Sequence, residues 1–442
     1  MTLTGTLVKS TIVAALGGLL FGFDTAVIAG CTAGLQSFFS LTETAKGFTV
    51  AIAVIGTVFG AFFASIPGDR YGRRDSLRGM AVLYLISAIG CAIAWDWYSL
   101  LFFRFIGGLG IGGSSVLGPM YIAEIAPAKW RGRLVGFFQF NVVAGILVAY
   151  LSNFLIRQMN LGAQDWRWML GVTGLPALFF LLMLFVIPRS PRWLVKKSRL
   201  DEARETLQAI GEENVEAELQ DIVTSVDVEH GHGAESLYQS KYGLPIFLAV
   251  SIGMFNQLSG INAILYYLNE IFAKAGFSNV SADKQAVLIG FTNLCFTTLA
   301  MTIIDKVGRK TLLLIGSVGC AVALAGAAAI FLSKSHENLL VWVLVLFIAS
   351  FAFSQGAVIW VYLSEVFPTR VRAQGQSLGS FTHWAMNAII TFTFPILAAK
   401  SRGLPFVVFA AMMVLQFAVV FTVYPETKGV TLEDMQKKLG IA

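Results

Sequence analysis

Charge is scarce in this sequence. Of 442 residues, 13% are Asp, Glu, Lys or Arg, against about 25% in an ordinary soluble domain. That shortage excludes a basic stripe on a soluble domain, and with it a nucleic-acid partner. Cysteine is also sparse: Cys31, Cys91, Cys295 and Cys320 all fall in or beside apolar runs. None forms a Cys-x-x-Cys pair, which argues against a disulfide framework or a zinc site. His230 and His232 share a glycine-flanked run with no neighbours to complete a metal site, so Glu229-His230-Gly231-His232-Gly233 is expected to be a flexible linker. No nucleophile–base pair or metal constellation appears, so an enzyme is not expected and no cofactor is needed. The N-terminus lacks a small-residue cleavage site after a short apolar core, and its first apolar segment is expected to stay.

What is abundant is apolar sequence: 56% of the residues are hydrophobic and the mean hydropathy is +0.72. A membrane-spanning helix needs about 20 mostly apolar residues. Twelve segments qualify, near 9–30, 48–67, 77–95, 99–123, 133–156, 168–188, 243–273, 285–304, 311–332, 338–364, 374–398 and 404–424. The expected fold is an all-α membrane protein, and an even number of spans puts both termini on one side. With the termini inside, twenty-three of the 32 Lys and Arg residues fall in inner segments and eight in outer loops. This bias predicts cytoplasmic termini in a cell membrane, inner or plasma.

One connection is long and polar. It contains Leu200, Ala203, Leu207 and Ile210 at helical spacing with charges between them, which predicts short amphipathic helices beneath the bundle. The chain on either side repeats itself. Asp69-Arg70-Tyr71-Gly72-Arg73-Arg74 returns 236 residues later as Asp305-Lys306-Val307-Gly308-Arg309-Lys310. Tyr121, Glu124, Pro127 and Arg131 return 241 residues later as Tyr362, Glu365, Pro368 and Arg372. The expected organisation is therefore a six-helix bundle over 1–188, a cytoplasmic linker with amphipathic helices over 189–242, a second six-helix bundle over 243–425 and a cytoplasmic tail over 426–442. Two such pseudo-repeats suit a transporter, with its substrate at the midplane between them.

Five motifs carry a family resemblance. They are Gly68-Asp69-Arg70-Tyr71-Gly72-Arg73-Arg74, Tyr121-Ile122-Ala123-Glu124-Ile125-Ala126-Pro127, Pro191-Arg192-Trp193-Leu194, Gln257-Leu258-Ser259-Gly260-Ile261-Asn262 and Pro425-Glu426-Thr427-Lys428-Gly429. By these the chain resembles the sugar porters of the major facilitator superfamily (MFS), a group that includes proton-coupled pentose and hexose symporters and facilitative glucose carriers. The resemblance implies an intracellular latch in which Glu124 with Arg131, Glu365 with Arg372, and the arginines of 70–74 (Arg70, Arg73 and Arg74) and Arg309 hold the inner side shut. It also implies that Tyr266 and Tyr267 close the outer gate. Arg189 departs from the family, which usually has a glutamate there, and one acidic latch member is thereby lost.

A second group is polar and lies inside the spans. Amide side chains both donate and accept hydrogen bonds, as sugar hydroxyls do, and indole packs on the C–H face of a pyranose. The family resemblance places Gln139, Gln257, Asn262, Asn293, Trp360, Trp384 and Asn387 at sugar-contact positions. Asn256 and His383 are added as departures from the family pattern that bear on substrate choice. Singly, such amides also serve as hydrogen bonds between helices.

Asp24 stands in an apolar run, where a carboxylate costs ~2.5 kcal/mol or more unless it has a partner or a task. Arg104 is the one basic residue inside an apolar segment. Rise per residue places Asp24 ~8 Å below the outer membrane face and Arg104 ~12 Å below it, so the two are level. Burial favours an aspartate's neutral form and a nearby cation its charged form. If sugar binding separates the pair, Asp24 loads and unloads a proton, and Arg104 tunes it. The expected protein is a monomeric proton–monosaccharide symporter, with sugar, protons and the bilayer as its partners. The alternatives are a uniporter with a structural Asp24 and a non-transporting sugar sensor.

Overall fold

The computed structural model describes residues 4–231, 236–368, 370–430 and 432–441. Among these the chain is helical, with no strand. Among the described residues, twelve helices are long and apolar enough to cross a membrane. In chain order they are spans 1 (Gly5–Phe38), 2 (Glu43–Phe63), 3 (Arg73–Ala92), 4 (Trp97–Ile125), 5 (Trp130–Gln158), 6 (Asp165–Met183), 7 (Ser240–Tyr266), 8 (Asn279–Val307), 9 (Arg309–Ser333), 10 (Glu337–Glu365), 11 (Arg372–Lys400) and 12 (Leu404–Val423). The spans run longer than their apolar cores because polar caps extend them. At the start of span 4, for example, Asp96 accepts from the Ser99 N–H at 2.7 Å while the Ser99 hydroxyl accepts from the Asp96 N–H at 3.1 Å, a reciprocal box. Below, the loop side is the end that carries the long connection between spans 6 and 7, and the far side is the other end.

Backbone contacts divide the chain into two compact units. The first comprises residues 1–25, 55–149 and 167–233, and the second 26–54, 150–166 and 234–442. Within the first unit spans 1 and 5 touch backbone to backbone: a Cβ on Gly22 would meet the Val142 carbonyl oxygen at 1.8 Å, and one on Gly145 the Leu19 oxygen at 2.1 Å. Glycine permits this approach where the hydrophobic effect between helices is absent. The same unit takes up the polar connection. The helix Leu200–Ile210 ends at Gly211 in the left-handed region, and it buries Ala203, Leu207 and Ile210 in the unit's core beside Trp193 and Leu194. Leu200, expected on that apolar stripe, is 43% exposed.

The following helix, Val215–Gly231, carries a correction. Residues 229–231, expected in a flexible linker, continue its helical backbone, because nothing before Gly231 breaks the run. His232 and Gly233 lie outside the described residues.

The second unit has its own core around Leu248, Ile252, Leu312, Tyr362 and Tyr424. Two of its spans are broken. Span 7 breaks after Leu258, where Gly260 adopts φ +81°, and resumes at Ile261. Only glycine fits there, since a Cβ would meet the Phe409 ring at 2.2 Å. Span 10 breaks at Ser354, between Phe353 and Gln355. Interrupted helices inside a membrane protein are tolerated where they line a cavity or are buried in protein.

Candidate functional site

Spans 1 and 4 bring Asp24 and Arg104 together in the first unit. Arg104 Nη1 lies 3.4 Å from Asp24 Oδ1 and 3.3 Å from Oδ2. Both residues are buried. One nitrogen serves both oxygens, and Arg104 Nε has no partner among the described residues. The contact is thus a single-point pair and not the two-pronged fork that makes the strongest arginine–carboxylate contacts. Phe23, beside Asp24, is buried.

The amides gather in the second unit, at the breaks. Gln257 Oε1 accepts from Asn262 Nδ2 at 3.2 Å across the Gly260 break. Gln257 Nε2 lies 3.2 Å from Asn256 Oδ1 and 3.1 Å from His383 Nε2. Asn256 Nδ2 donates to the Gln355 carbonyl at 3.3 Å, just past the break in span 10. The His383 ring lies 5.2 Å from Trp360 and 5.1 Å from Trp384, edge-on to the latter. A second string runs along span 11. Asn387 Nδ2 donates to the Tyr266 hydroxyl at 3.3 Å, and Thr391 Oγ1 donates to Asn387 Oδ1 at 3.0 Å. The Tyr267 hydroxyl donates to the Thr391 carbonyl at 3.1 Å.

Asn256, Gln257, Asn262, His383, Trp360 and Trp384 therefore form one cluster, and Asn387, Tyr266 and Tyr267 adjoin it along span 11. Asn293 takes a 3.3 Å bond from Thr297 of its own helix. Gln139 stands half-buried on span 5 in the first unit. Trp360 is the exposed member of the cluster, at 38%.

At the loop side each unit builds the same ionic network. In the first, buried Arg73 donates through Nε to Glu124 at 2.9 Å and through Nη1 to Asp69 at 3.0 Å. Ser190 also bonds Glu124, and the Tyr121 hydroxyl donates to the Pro188 carbonyl at 2.8 Å. In the second unit Arg309 holds Glu365 at 2.8 Å and Asp305 at 2.9 Å. Thr427 bonds Glu365 at 2.6 Å, and Tyr362 donates to Pro425 at 3.2 Å. The arginines that hold Glu124 and Glu365 here are thus Arg73 and Arg309. Of the other expected latch members, Arg131 is exposed, Arg372 donates to the Phe367 carbonyl at 3.3 Å, and Arg70 lies 5.3 Å from the Tyr71 ring.

Residues 10–439 match the family model described as Sugar (and other) transporter. The chain belongs to this family. The D-xylose-proton symporter of Escherichia coli strain K12 is 36% identical, with 96% of this chain and 94% of the relative covered. The arabinose-proton symporter of Bacillus subtilis strain 168 is likewise 36% identical, covering 96% and 93%. Among solved structures, the partially occluded inward-open xylose transporter from Escherichia coli superposes with a TM-score of 0.87 at 34% identity, covering 97% of this chain and all of that one. The fold is that of the major facilitator superfamily, and these relatives are transporters, not enzymes.

This sugar transporter is a multi-pass membrane protein. Trp95, Tyr98, Trp168 and Trp342, at far-side span ends, are 62–73% exposed, as interfacial aromatics are.

Sequence reasoning missed two far-side clusters, both in the second unit. Lys46, 2% exposed, lies 2.8 Å from Glu43, 2.8 Å from Glu270 and 3.1 Å from Gln36 Oε1. Arg157 pairs with Asp283 and Asp165 and donates to the Gly30 carbonyl at 2.9 Å. Nearby, the Tyr150 hydroxyl donates to the Leu265 carbonyl at 2.8 Å. These contacts tie the far ends of spans 1, 2 and 5 to the segment 265–283. The signal in the sequence was the charges themselves, which count as ordinary loop residues until their partners are known.

Proposed function

We propose that this sugar transporter moves a monosaccharide, a pentose or hexose, together with a proton by alternating access, with the halves 1–188 and 243–425 as the moving parts. The observation that carries the reading is the buried Asp24–Arg104 pair. A carboxylate at this depth is costly, and a single-point contact can be broken without unfolding either helix. The curated relatives named above are proton symporters for D-xylose and arabinose, which supports both the coupling ion and the substrate class.

In this reading Asp24 carries the proton and Arg104 tunes it. Asn256, Gln257, Asn262, His383 and Asn387 exchange their mutual hydrogen bonds for bonds to sugar hydroxyls. Gln139 and Asn293 add contacts from spans 5 and 8, and Trp360 and Trp384 stack on the ring. Tyr266 and Tyr267, with the Lys46 and Arg157 clusters, close the far side. Glu124, Arg131, Glu365, Arg372, Arg70 and Arg309 close the loop side, and the termini face the cytoplasm.

The test is uptake of labelled D-xylose, L-arabinose and D-glucose by reconstituted vesicles with an imposed pH gradient. At least one sugar is expected to accumulate above its external concentration. Equilibration of every sugar without accumulation would replace this reading with the uniporter.

A further inference from the structure

Arg104 is 3% exposed, and its side-chain partner among the described residues is Asp24. Its Nε is left unmet. If Asp24 carries a proton, its negative charge is gone for part of each cycle. A guanidinium left uncompensated inside a membrane protein is costly. A second acceptor should therefore stand within its reach.

Spans 3 and 4 run antiparallel, and their glycines fix the register. A Cβ on Gly113 would meet Met80 Sδ at 2.2 Å, and one on Gly110 the Tyr84 ring at 3.5 Å. A Cβ on Gly107 would meet Ser87 Oγ at 2.4 Å, and one on Gly90 the Phe103 ring at 2.2 Å. Each step along one helix matches a step back along the other, so Cys91 comes level with Arg104. Tyr84, Ser87 and Cys91 share one stripe of span 3 by helical spacing, and all three are buried. The Tyr84 hydroxyl is bonded to Ser114 at 3.0 Å. Cys91 Sγ lies 3.9 Å from Ser87 Oγ, its one hydrogen-bond partner among the described residues.

Two features single out Cys91. Side chains lean toward the N-terminus of their helix. Span 4 starts on the far side, so Arg104 leans toward the far-side end of span 3, where Cys91 lies one turn beyond Ser87. The charges that act on the Cys91 thiol are those of Arg104 and Asp24, whereas Tyr84, nearer the loop side, feels Asp24. The charged and titratable groups facing Asp24 are thus Arg104 from span 4 and Tyr84 and Cys91 from span 3. Span 5 meets this part of span 1 through Val142, Gly145 and Ile146, none of them titratable.

We propose, on the reading that Asp24 carries the proton, that Cys91 is a positioning residue of the proton site. Its sulfur accepts from the Arg104 guanidinium while Asp24 is protonated and yields it when the proton leaves. The Cys91 S–H can donate to Ser87 Oγ at the same time. Sulfur is a weak acceptor, which suits a partner that must release the arginine in every cycle. The proton itself stays on Asp24.

The test measures uptake of labelled D-xylose, L-arabinose and D-glucose by reconstituted vesicles across a range of pH, in wild type, Cys91→Ala and Cys91→Ser. Alanine removes the acceptor and so disfavours protonated Asp24. The pH of half-maximal uptake should fall by about half a unit, or about threefold in proton affinity, the scale of one weak hydrogen bond. Serine puts a stronger acceptor in the same place, and the midpoint should rise by a similar amount. If Cys91 only packs, both variants change the rate at every pH alike and leave the midpoint in place. Equal midpoints in all three proteins, with wild-type uptake dependent on pH, would overturn the proposal and leave coupling by Asp24 intact. Wild-type uptake indifferent to pH would instead remove the coupling reading, and the role of Cys91 with it.

Discussion

Lys46 Nζ lies 2.8 Å from Glu270 Oε1, joining the start of span 2 to the segment after span 7 across 224 residues of sequence. The lysine is 2% exposed and its partner 15%, so this is not a surface pair of negligible value. Removing one member of a buried pair leaves the other charge uncompensated, typically at about 3–5 kcal/mol. Glu270 keeps Lys274 at 2.8 Å, which lowers the expected cost of Lys46→Met to the order of 1–2 kcal/mol. That is roughly a tenfold shift in the equilibrium of the proposed far-side closure. Maleimide labelling of a cysteine placed beside Leu265 should rise accordingly. Labelling at the wild-type rate would show that the pair holds nothing shut.

Gln257 joins Asn256, Asn262 and His383 through one side chain. Gln257→Ala should weaken sugar binding by about 5- to 150-fold, the worth of one or more hydrogen bonds. Calorimetric titration with the transported sugar checks this, in a variant that remains monodisperse. Affinity equal to wild type would mean that the cluster serves helix packing.

Glu124 and Glu365 are the acceptors around which each loop-side network is built. The double change Glu124→Gln, Glu365→Gln leaves Arg73 and Arg309 without their principal acceptors. The loop side should then open more often, raising labelling of loop-side cysteines and lowering labelling of far-side ones. No change on either side would reduce these residues to setting topology.

The sequence made some of these relations legible and not others, for physical reasons. Asp24 and Arg104 could be paired in advance because depth in a membrane follows from residue count, and each was the only ionisable residue of its sign at that level. The repeat could be read because Arg73 recurs 236 residues on, as Arg309, and Tyr121 and Glu124 recur 241 residues on, as Tyr362 and Glu365. Lys46–Glu270 and Arg157–Asp283 could not be read, since depth says nothing about which way a side chain points around its helix. The Gln257–Asn262 bond needed a break at Gly260, and a glycine in a membrane helix more often marks close packing, as Gly22 does. Which of the expected latch arginines would hold Glu124 and Glu365 was not legible in advance. The repeat offered Arg131, Arg372, the arginines of 70–74 and Arg309 alike, and only the fold shows Arg73 on Glu124 and Arg309 on Glu365, each from a neighbouring helix.

The central claim is that Asp24 couples the proton to the sugar. One proton moved down 100 mV releases about 2.3 kcal/mol, enough for roughly a 50-fold sugar gradient, and each pH unit adds about tenfold. Asp24→Asn keeps the shape and a hydrogen-bonding head but cannot carry a proton. The most direct measurement compares wild type and Asp24→Asn in vesicles with an imposed pH gradient, recording both net accumulation and equilibrium exchange of labelled sugar. The account predicts that wild type concentrates sugar, and that Asp24→Asn exchanges it across the membrane yet never exceeds the external concentration. Accumulation by Asp24→Asn, or indifference of the wild type to the gradient, would contradict it.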